Sequence, residues 1–159
     1  MRNRRALSLL ITLMMIVSMF AGTGLPAALA ESTIRGPKPV IQINTWDELK
    51  QALKSRNNVV LRLMSNITGD GKSENCKVDG KTLTLDLNGH TLNANNYHSA
   101  IWVTGKAELT IVDSAGGGKI TGGNATRGGG INVGDSAVVT FESGTITDNK
   151  DVTINLVKT

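Results

Sequence analysis

Between Ser99 and Asn149 the chain writes one alternation of apolar and polar positions twice. Ala100-Ile101-Trp102-Val103, Leu109-Thr110-Ile111 and Lys119-Ile120-Thr121 are answered by Gly130-Ile131-Asn132-Val133, Val139-Thr140-Phe141 and Thr145-Ile146-Thr147. The offsets are 30 residues from Ile101 to Ile131, 30 from Leu109 to Val139 and 26 from Ile120 to Ile146. The shortfall falls where the loop Asp113 to Gly118 has no equally long counterpart. Three short period-two segments per repeat, separated by glycine corners, predict the coils of a β-solenoid.

Upstream, Val40-Ile41-Gln42-Ile43 has the composition of a first strand. Thr45 then offers an N-cap, with Glu48 three residues on to complete a capping box. Trp46, Leu49, Ala52 and Leu53 share one face at helical spacing, which predicts a helix over residues 46–54. Its expected job is to cover the apolar interior of the first coil. From Val59 the period changes from 3.6 to two: Val59, Leu61 and Leu63 face one way, and Val60, Arg62 and Met64 the other. Turn signals follow at Gly69-Asp70-Gly71 and Asp79-Gly80. Leu83, Leu85 and Leu87 then alternate with Thr84 and Asp86, and Asn88-Gly89 turns the chain into Thr91-Leu92-Asn93.

Stacking these segments predicts three inner columns: Leu83, Leu109 and Val139; Leu85, Ile111 and Phe141; Leu92, Ile120 and Ile146. Two outer columns follow, Thr84, Thr110 and Thr140 beside Asn93, Thr121 and Thr147. β-branched threonine suits the pleated outer face.

Residues 1–30 stand apart from this pattern. Arg2, Arg4 and Arg5 precede an apolar run from Ala6 to Ala21, and Ala28-Leu29-Ala30 forms a small-x-small cleavage pattern. A secretory signal peptide cleaved after Ala30 is the expectation, with residues 31–39 as a linker and 40–159 as the solenoid domain. The leader holds three of the seventeen basic residues and none of the thirteen acids, so the remainder carries only +1 of the formal +4. A near-neutral domain gives no footprint for nucleic acid. No later segment is apolar enough to span a membrane after cleavage. Cys76 is the one cysteine, so no intramolecular disulfide forms, and its position beside Val78 predicts a small inward-facing apolar residue.

The stretches Leu83-Thr84-Leu85-Asp86-Leu87-Asn88-Gly89-His90-Thr91-Leu92, Gly116-Gly117-Gly118-Lys119-Ile120-Thr121-Gly122-Gly123-Asn124, Gly128-Gly129-Gly130-Ile131 and Ser143-Gly144-Thr145-Ile146-Thr147-Asp148-Asn149 resemble the coils of right-handed parallel β-helix proteins. The pectin-lyase-like fold is the broad class. The Gly/Thr/Asn-rich repeats are most similar to modules of large bacterial surface and adhesin-type proteins. The glycine motifs also resemble repeats of polymorphic outer-membrane proteins. The chain departs from that last pattern, because Phe141 is followed by Glu-Ser-Gly and the Phe-x-x-Asn signature is missing. The resemblance spans roughly residues 40–149. It implies a right-handed parallel β-helix of about three coils, in a fold that carries both enzymes and inert stalks.

Polysaccharide lyases and hydrolases of that fold use clustered acids, with calcium and a basic residue in the lyases. The candidates here are Asp86, Asp113, Asp135, Asp148, Glu108, Glu142 and Arg127. Catalysis needs two carboxylates, or carboxylates with calcium, converging on one outer face. Asp86 and Asp113 sit one just past each of two stacked strands and are the pair expected to approach. No Asp-x-Asp pair exists, and these acids read first as corner residues. His90 and His98 lack further ligands at zinc spacing, so neither a metal nor a cofactor is expected. The glycine runs lack the Gly-Lys-Ser/Thr ending of a phosphate loop.

Trp102 is the sharper candidate. Because Ile101 and Val103 match Ile131 and Val133, Trp102 points outward above Asn132. With Tyr97 and His98 close in sequence, it offers a ring on which a sugar stacks or a partner anchors. The competing expectation buries it under the loop of residues 93–98. Trp102, Tyr97 and Asn132 are therefore the ligand-binding candidates, with no catalytic residue assigned. Val152-Thr153-Ile154-Asn155-Leu156 alternates like another strand with nothing evident to cap it. Either the edge presented by Val152, Ile154 and Leu156 pairs with another chain, or the sequence is the front of a longer protein; the second is the expectation.

Together these features predict a secreted or cell-surface, non-catalytic structural or adhesive module, with a surface glycan or a host or matrix component as partner. The alternative is a carbohydrate-active protein, either lyase- or hydrolase-like or glycan-binding.

Overall fold

The computed structural model describes residues 36–72, 76–126, 128–134 and 136–150. The leader, Arg127, Asp135 and the segment with Val152, Ile154 and Leu156 lie outside the described residues. Between Lys38 and Lys150 the described residues build a parallel β-solenoid of about three turns.

Its first strand, β1 (Val40–Ile43), leads into α1 (Trp46–Ser55). The first coil is β2 (Val59–Leu63), β3 (Ile67–Thr68) and β4 (Cys76–Asp79). The second is β5 (Thr82–Asp86), β6 (Thr91–Asn93) and β7 (Ile101–Thr104), and the third is β8 (Glu108–Val112), β9 (Lys119–Thr121) and β10 (Ile131–Val133). β11 (Val138–Phe141) and β12 (Thr145–Ile146) begin a fourth. Every strand pairing is parallel. The first sheet runs β1-β2-β5-β8-β11, the second β3-β6-β9-β12 and the third β4-β7-β10.

The expected columns stand in register. Leu83 pairs with Leu109 and Leu109 with Val139; Leu85 with Ile111 and Ile111 with Phe141; Leu92 with Ile120 and Ile120 with Ile146. Thr84, Thr110 and Thr140 line the outer face of the same strands. Two strands went unforeseen. Ile67–Thr68 is too short to show a period, and Cys76-Lys77-Val78-Asp79 has one β-branched residue and a turn signal at its end. Both are held by pairing with the next coil rather than by propensity.

Fully buried aliphatics fill the interior: Leu61, Leu63, Leu83, Leu85, Leu87, Leu92, Ile101, Ile111 and Ile120 among them. Each contributes about 1.5–3 kcal/mol by leaving water, which lets a chain with few aromatics hold a core. Cys76 is buried in the same column as Ile101, as its apolar neighbourhood predicts. Removal from water pushes its thiol pKa far above the ordinary value, against a small opposing effect of Lys50, so the thiol stays protonated and inert.

Helix α1 closes the front. Trp46, Leu49, Ala52 and Leu53 are its buried face, packed against β4. The Thr45 hydroxyl accepts from the Glu48 N–H at 3.2 Å, while the Glu48 carboxylate accepts from the Asn44 N–H at 2.7 Å, one residue earlier than in a standard capping box. The helix continues one residue beyond the expected Lys54. Among the described residues no helix is long and apolar enough to cross a membrane.

Asparagine side chains tie one coil to the next. The Asn57 side-chain oxygen accepts from the Thr82 N–H at 2.9 Å, and that of Asn66 from the Thr91 N–H at 2.9 Å. Asn88 Nδ2 donates to the Leu63 carbonyl at 3.0 Å and Asn95 Nδ2 to the Gly69 carbonyl at 2.9 Å. At each corner these amides pair main-chain groups that the strand ladders leave over.

Candidate functional site

Asp86 and Asp113, the acids expected to approach, do share a corner. Asp86 ends β5 with its side chain nearly sealed from solvent, at 2% exposure. Its carboxylate accepts from the Asn88 N–H (3.0 Å), the Ser114 N–H (3.0 Å) and hydroxyl (2.8 Å), and Arg62 Nε (2.8 Å). Burial by itself raises the Asp86 pKa, but the bonds from Ser114, Arg62 and Asn88 outweigh it and hold the group below the usual carboxylate range. One coil on, Asp113 accepts from the Gly89 N–H at 2.7 Å and the Gly118 N–H at 2.7 Å. The Ser143 hydroxyl continues the stack by accepting from the Asp113 N–H at 2.7 Å.

This corner is a ladder of anions and hydroxyls aimed inward at backbone donors. Gly118 is part of its construction, since a Cβ there would lie 2.6 Å from the Leu87 Cβ and 2.7 Å from Asp113 Oδ1. A general acid needs a raised pKa and a nucleophile needs a free lone pair facing substrate. Asp86 has neither property. Among the other acids, Glu108, Glu142 and Asp148 are exposed, and Glu108 touches the Thr82 hydroxyl at 3.5 Å. Among the described residues no three His, Cys, Asp or Glu side chains gather in a group that could hold a metal.

The third sheet presents a different surface. Lys77, Trp102 and Asn132 are register partners on β4, β7 and β10, and they form one outward column. Strand alternation sets this: Cys76 and Val78, Ile101 and Val103 fill the interior, so the residues between them face out. Trp102 is 37% exposed, which removes the expectation that a loop buries it. The Lys77 ammonium lies 4.8 Å from the centroid of its ring and 2.9 Å from the Asp79 carboxylate. An exposed cation–π contact of this kind is worth about 0.5–1 kcal/mol, weak enough to exchange for a ligand.

Tyr97 is also exposed, in a turn where Asn95, Asn96 and His98 adopt positive φ. Its ring meets His98 edge-on at 4.1 Å between centroids. His98 in turn bridges to Asn124 on the neighbouring coil. Trp102 and Asn132 are thus brought together, while Tyr97 belongs to a separate corner with His98. Lys77 is the site residue that sequence reasoning missed, because β4 did not announce itself as a strand. No family model matches this chain, and no curated protein or solved structure shows significant similarity to it.

Proposed function

We propose that this chain is an exported structural or adhesive module of a bacterial cell-surface protein, built from adhesin-type repeats of the pectin-lyase-like class and without catalytic activity of its own. The observation that supports it is the Asp86–Asp113 corner. Among the described residues, the two acids that converge accept hydrogen bonds from main-chain and serine donors, several of them on the neighbouring coil, so their chemistry serves stacking. The asparagine ties between coils serve the same end. Fractionating source cells and blotting with an antibody to the solenoid tests this reading. A band in the medium or envelope is expected, and a band confined to the cytosol overturns it.

A second reading, a glycan-binding module, is favoured by one specific feature. Trp102 stands exposed between Lys77 and Asn132 on the outer face of the third sheet. An aromatic platform flanked by a charged group and an amide matches what a sugar ring offers, an apolar face with hydroxyls at its rim. Trp102→Ala is expected to abolish retention on polysaccharide columns with the urea midpoint unchanged. Equal retention by the variant overturns the reading.

A further inference from the structure

β1 is the outermost strand of the first sheet at the front, and it pairs only with β2. The Pro39 carbonyl accepts from the Val60 N–H and the Ile43 carbonyl from the Met64 N–H, both at 2.9 Å. In a parallel ladder the main-chain groups of alternate residues face the same neighbour. Residues 39, 41 and 43 therefore turn their groups to β2. The N–H and C=O of Val40 and Gln42 face the other way, where no described strand lies.

Beside that edge, against α1, lies an open groove of about 220 Å³ with Ile41, Ile43 and Ala52 as its apolar lining and Gln42, Glu48 and Arg56 among its polar lining. Small-molecule sites usually hold about 300–1,000 Å³, so this one suits a single side chain and the strand that carries it. Val40, 51% exposed, adds an apolar surface on the outer side of the edge. Charge then limits what that strand carries. The Glu48 carboxylate accepts from the Asn44 N–H at 2.7 Å, which places it where β1 ends. Arg56 caps the far end of α1, eight residues on and about 12 Å along the helix. Its guanidinium has no ion pair or hydrogen bond among the described residues. A strand covers nearly the same distance, about 13–14 Å, in four residues, and residues four apart share a face with the one midway between them.

We propose that the front edge of the first sheet is a docking site for a short extended segment of a partner protein, which joins β1 antiparallel and carries basic, apolar and acidic residues, in that order, at alternate positions. The basic side chain meets Glu48, the apolar one lies on Ile41 and Ala52, and the acidic one meets Arg56. The two residues between them oppose Gln42 and Val40 and exchange main-chain hydrogen bonds with both, in the pairing that is the more stable per residue. Main-chain bonds supply affinity, and the pockets for alternate side chains supply specificity. Pro39 before β1 and the turn into α1 after it hold the edge to four residues, so it takes a short segment and resists open-ended sheet growth. The inference goes beyond both readings above and depends on neither.

The experiment titrates the nitrogen-15-labelled full chain with the end-blocked peptide Lys-Thr-Val-Thr-Glu and follows the backbone amides by NMR and hydrogen exchange. Saturable shifts at Val40 and Gln42, with slowed exchange of their N–H groups, are expected. Methylating the main-chain nitrogens of both peptide threonines is expected to lower affinity tenfold or more; equal affinity overturns strand addition. The charge-reversed peptide Glu-Thr-Val-Thr-Lys is expected to bind at least tenfold more weakly, and equal affinity overturns the charge pattern. Arg56→Glu, at an exposed position, is expected to keep the urea midpoint, lose tenfold for the first peptide and regain it with Lys-Thr-Val-Thr-Lys. No loss, or loss without recovery, overturns the contact at Arg56. Val40 and Gln42 unshifted by peptide overturn the proposal outright. So does protection of these two amides before peptide is added: protection that falls on dilution means that a second copy holds the edge, and protection that does not means that the chain's own residues outside 36–150 hold it.

Discussion

The two ends of the solenoid are made of the same kind of residue and differ in what lies on them. At the front, Ile43, Leu61 and Leu63 are sealed, and α1 closes the interior with Trp46, Leu49, Ala52 and Leu53. At the back, Val133, Val139 and Ile146 are only partly buried, and Phe141 is 41% exposed although it sits in perfect register on Ile111. Register alone does not bury a side chain in a solenoid. Each coil is covered by the next, so burial of a given column measures what is stacked above it. Leu85, Ile111 and Phe141 form one column with the same inward direction, and only its last member meets solvent.

The largest expected effect lies inside that column, where Leu85 is stacked between Leu61 and Ile111. Leu85→Ala removes a fully buried side chain between two coils and is expected to cost about 2–5 kcal/mol in urea or thermal unfolding. Leu53→Ala, in the helix that closes the front, belongs in the same range, because its side chain is equally sealed. A cost under 1 kcal/mol for Leu53→Ala, beside the full cost for Leu85→Ala, would mean that the helix lies on the front coil without holding it.

The polar corner comes next. Asp86→Asn removes the charge that faces Arg62 and leaves an amide nitrogen among donors, so a loss of about 1–3 kcal/mol is expected at neutral pH. Because the folded pKa of Asp86 is depressed, its contribution is fully present above the unfolded carboxyl value, near 4. It is lost as pH falls from there through the folded value. Wild-type stability measured from pH 7 down to 2 should therefore converge on that of Asp86→Asn at the acid end. Parallel curves across the range would remove Asp86 as the titrating group. Thr45→Ala tests the front cap more gently, with an expected cost of about 1 kcal/mol from the loss of its bond to the Glu48 N–H.

The repeat could be read from sequence because Leu83-Thr84-Leu85 and Leu109-Thr110-Ile111 carry the alternation in full, and the helix because four apolar residues fall on one face. What escaped was information that exists only after stacking. Lys77 lies 25 residues from Trp102 in the chain and one strand away in space, inside a segment whose residues resemble a turn. The sharing of a corner by Asp86 and Asp113 was legible from spacing. That their oxygens face backbone N–H groups depends on corner geometry, set by the positive φ of Gly89 and by the bare α-carbon of Gly118. Trp102 was placed outward by parity alone, whereas its distance from Tyr97's corner was not, because the turn of residues 95–98 has no period to count.

The smallest expected effect is at the back end, and it discriminates best between the two ends. Phe141→Ala removes a larger side chain than Leu85→Ala, yet transfer free energy follows the area taken out of water rather than side-chain size. With its ring already 41% exposed and no coil above it among the described residues, Phe141→Ala is expected to cost about 1 kcal/mol or less. Chemical denaturation of both variants under one set of conditions makes the comparison direct. A Phe141→Ala cost equal to that of Leu85→Ala would mean that the ring is covered in solution, either by chain beyond Lys150 or by a second molecule. Dilution separates those two, since a cover supplied by another molecule weakens with protein concentration and one supplied by the same chain does not.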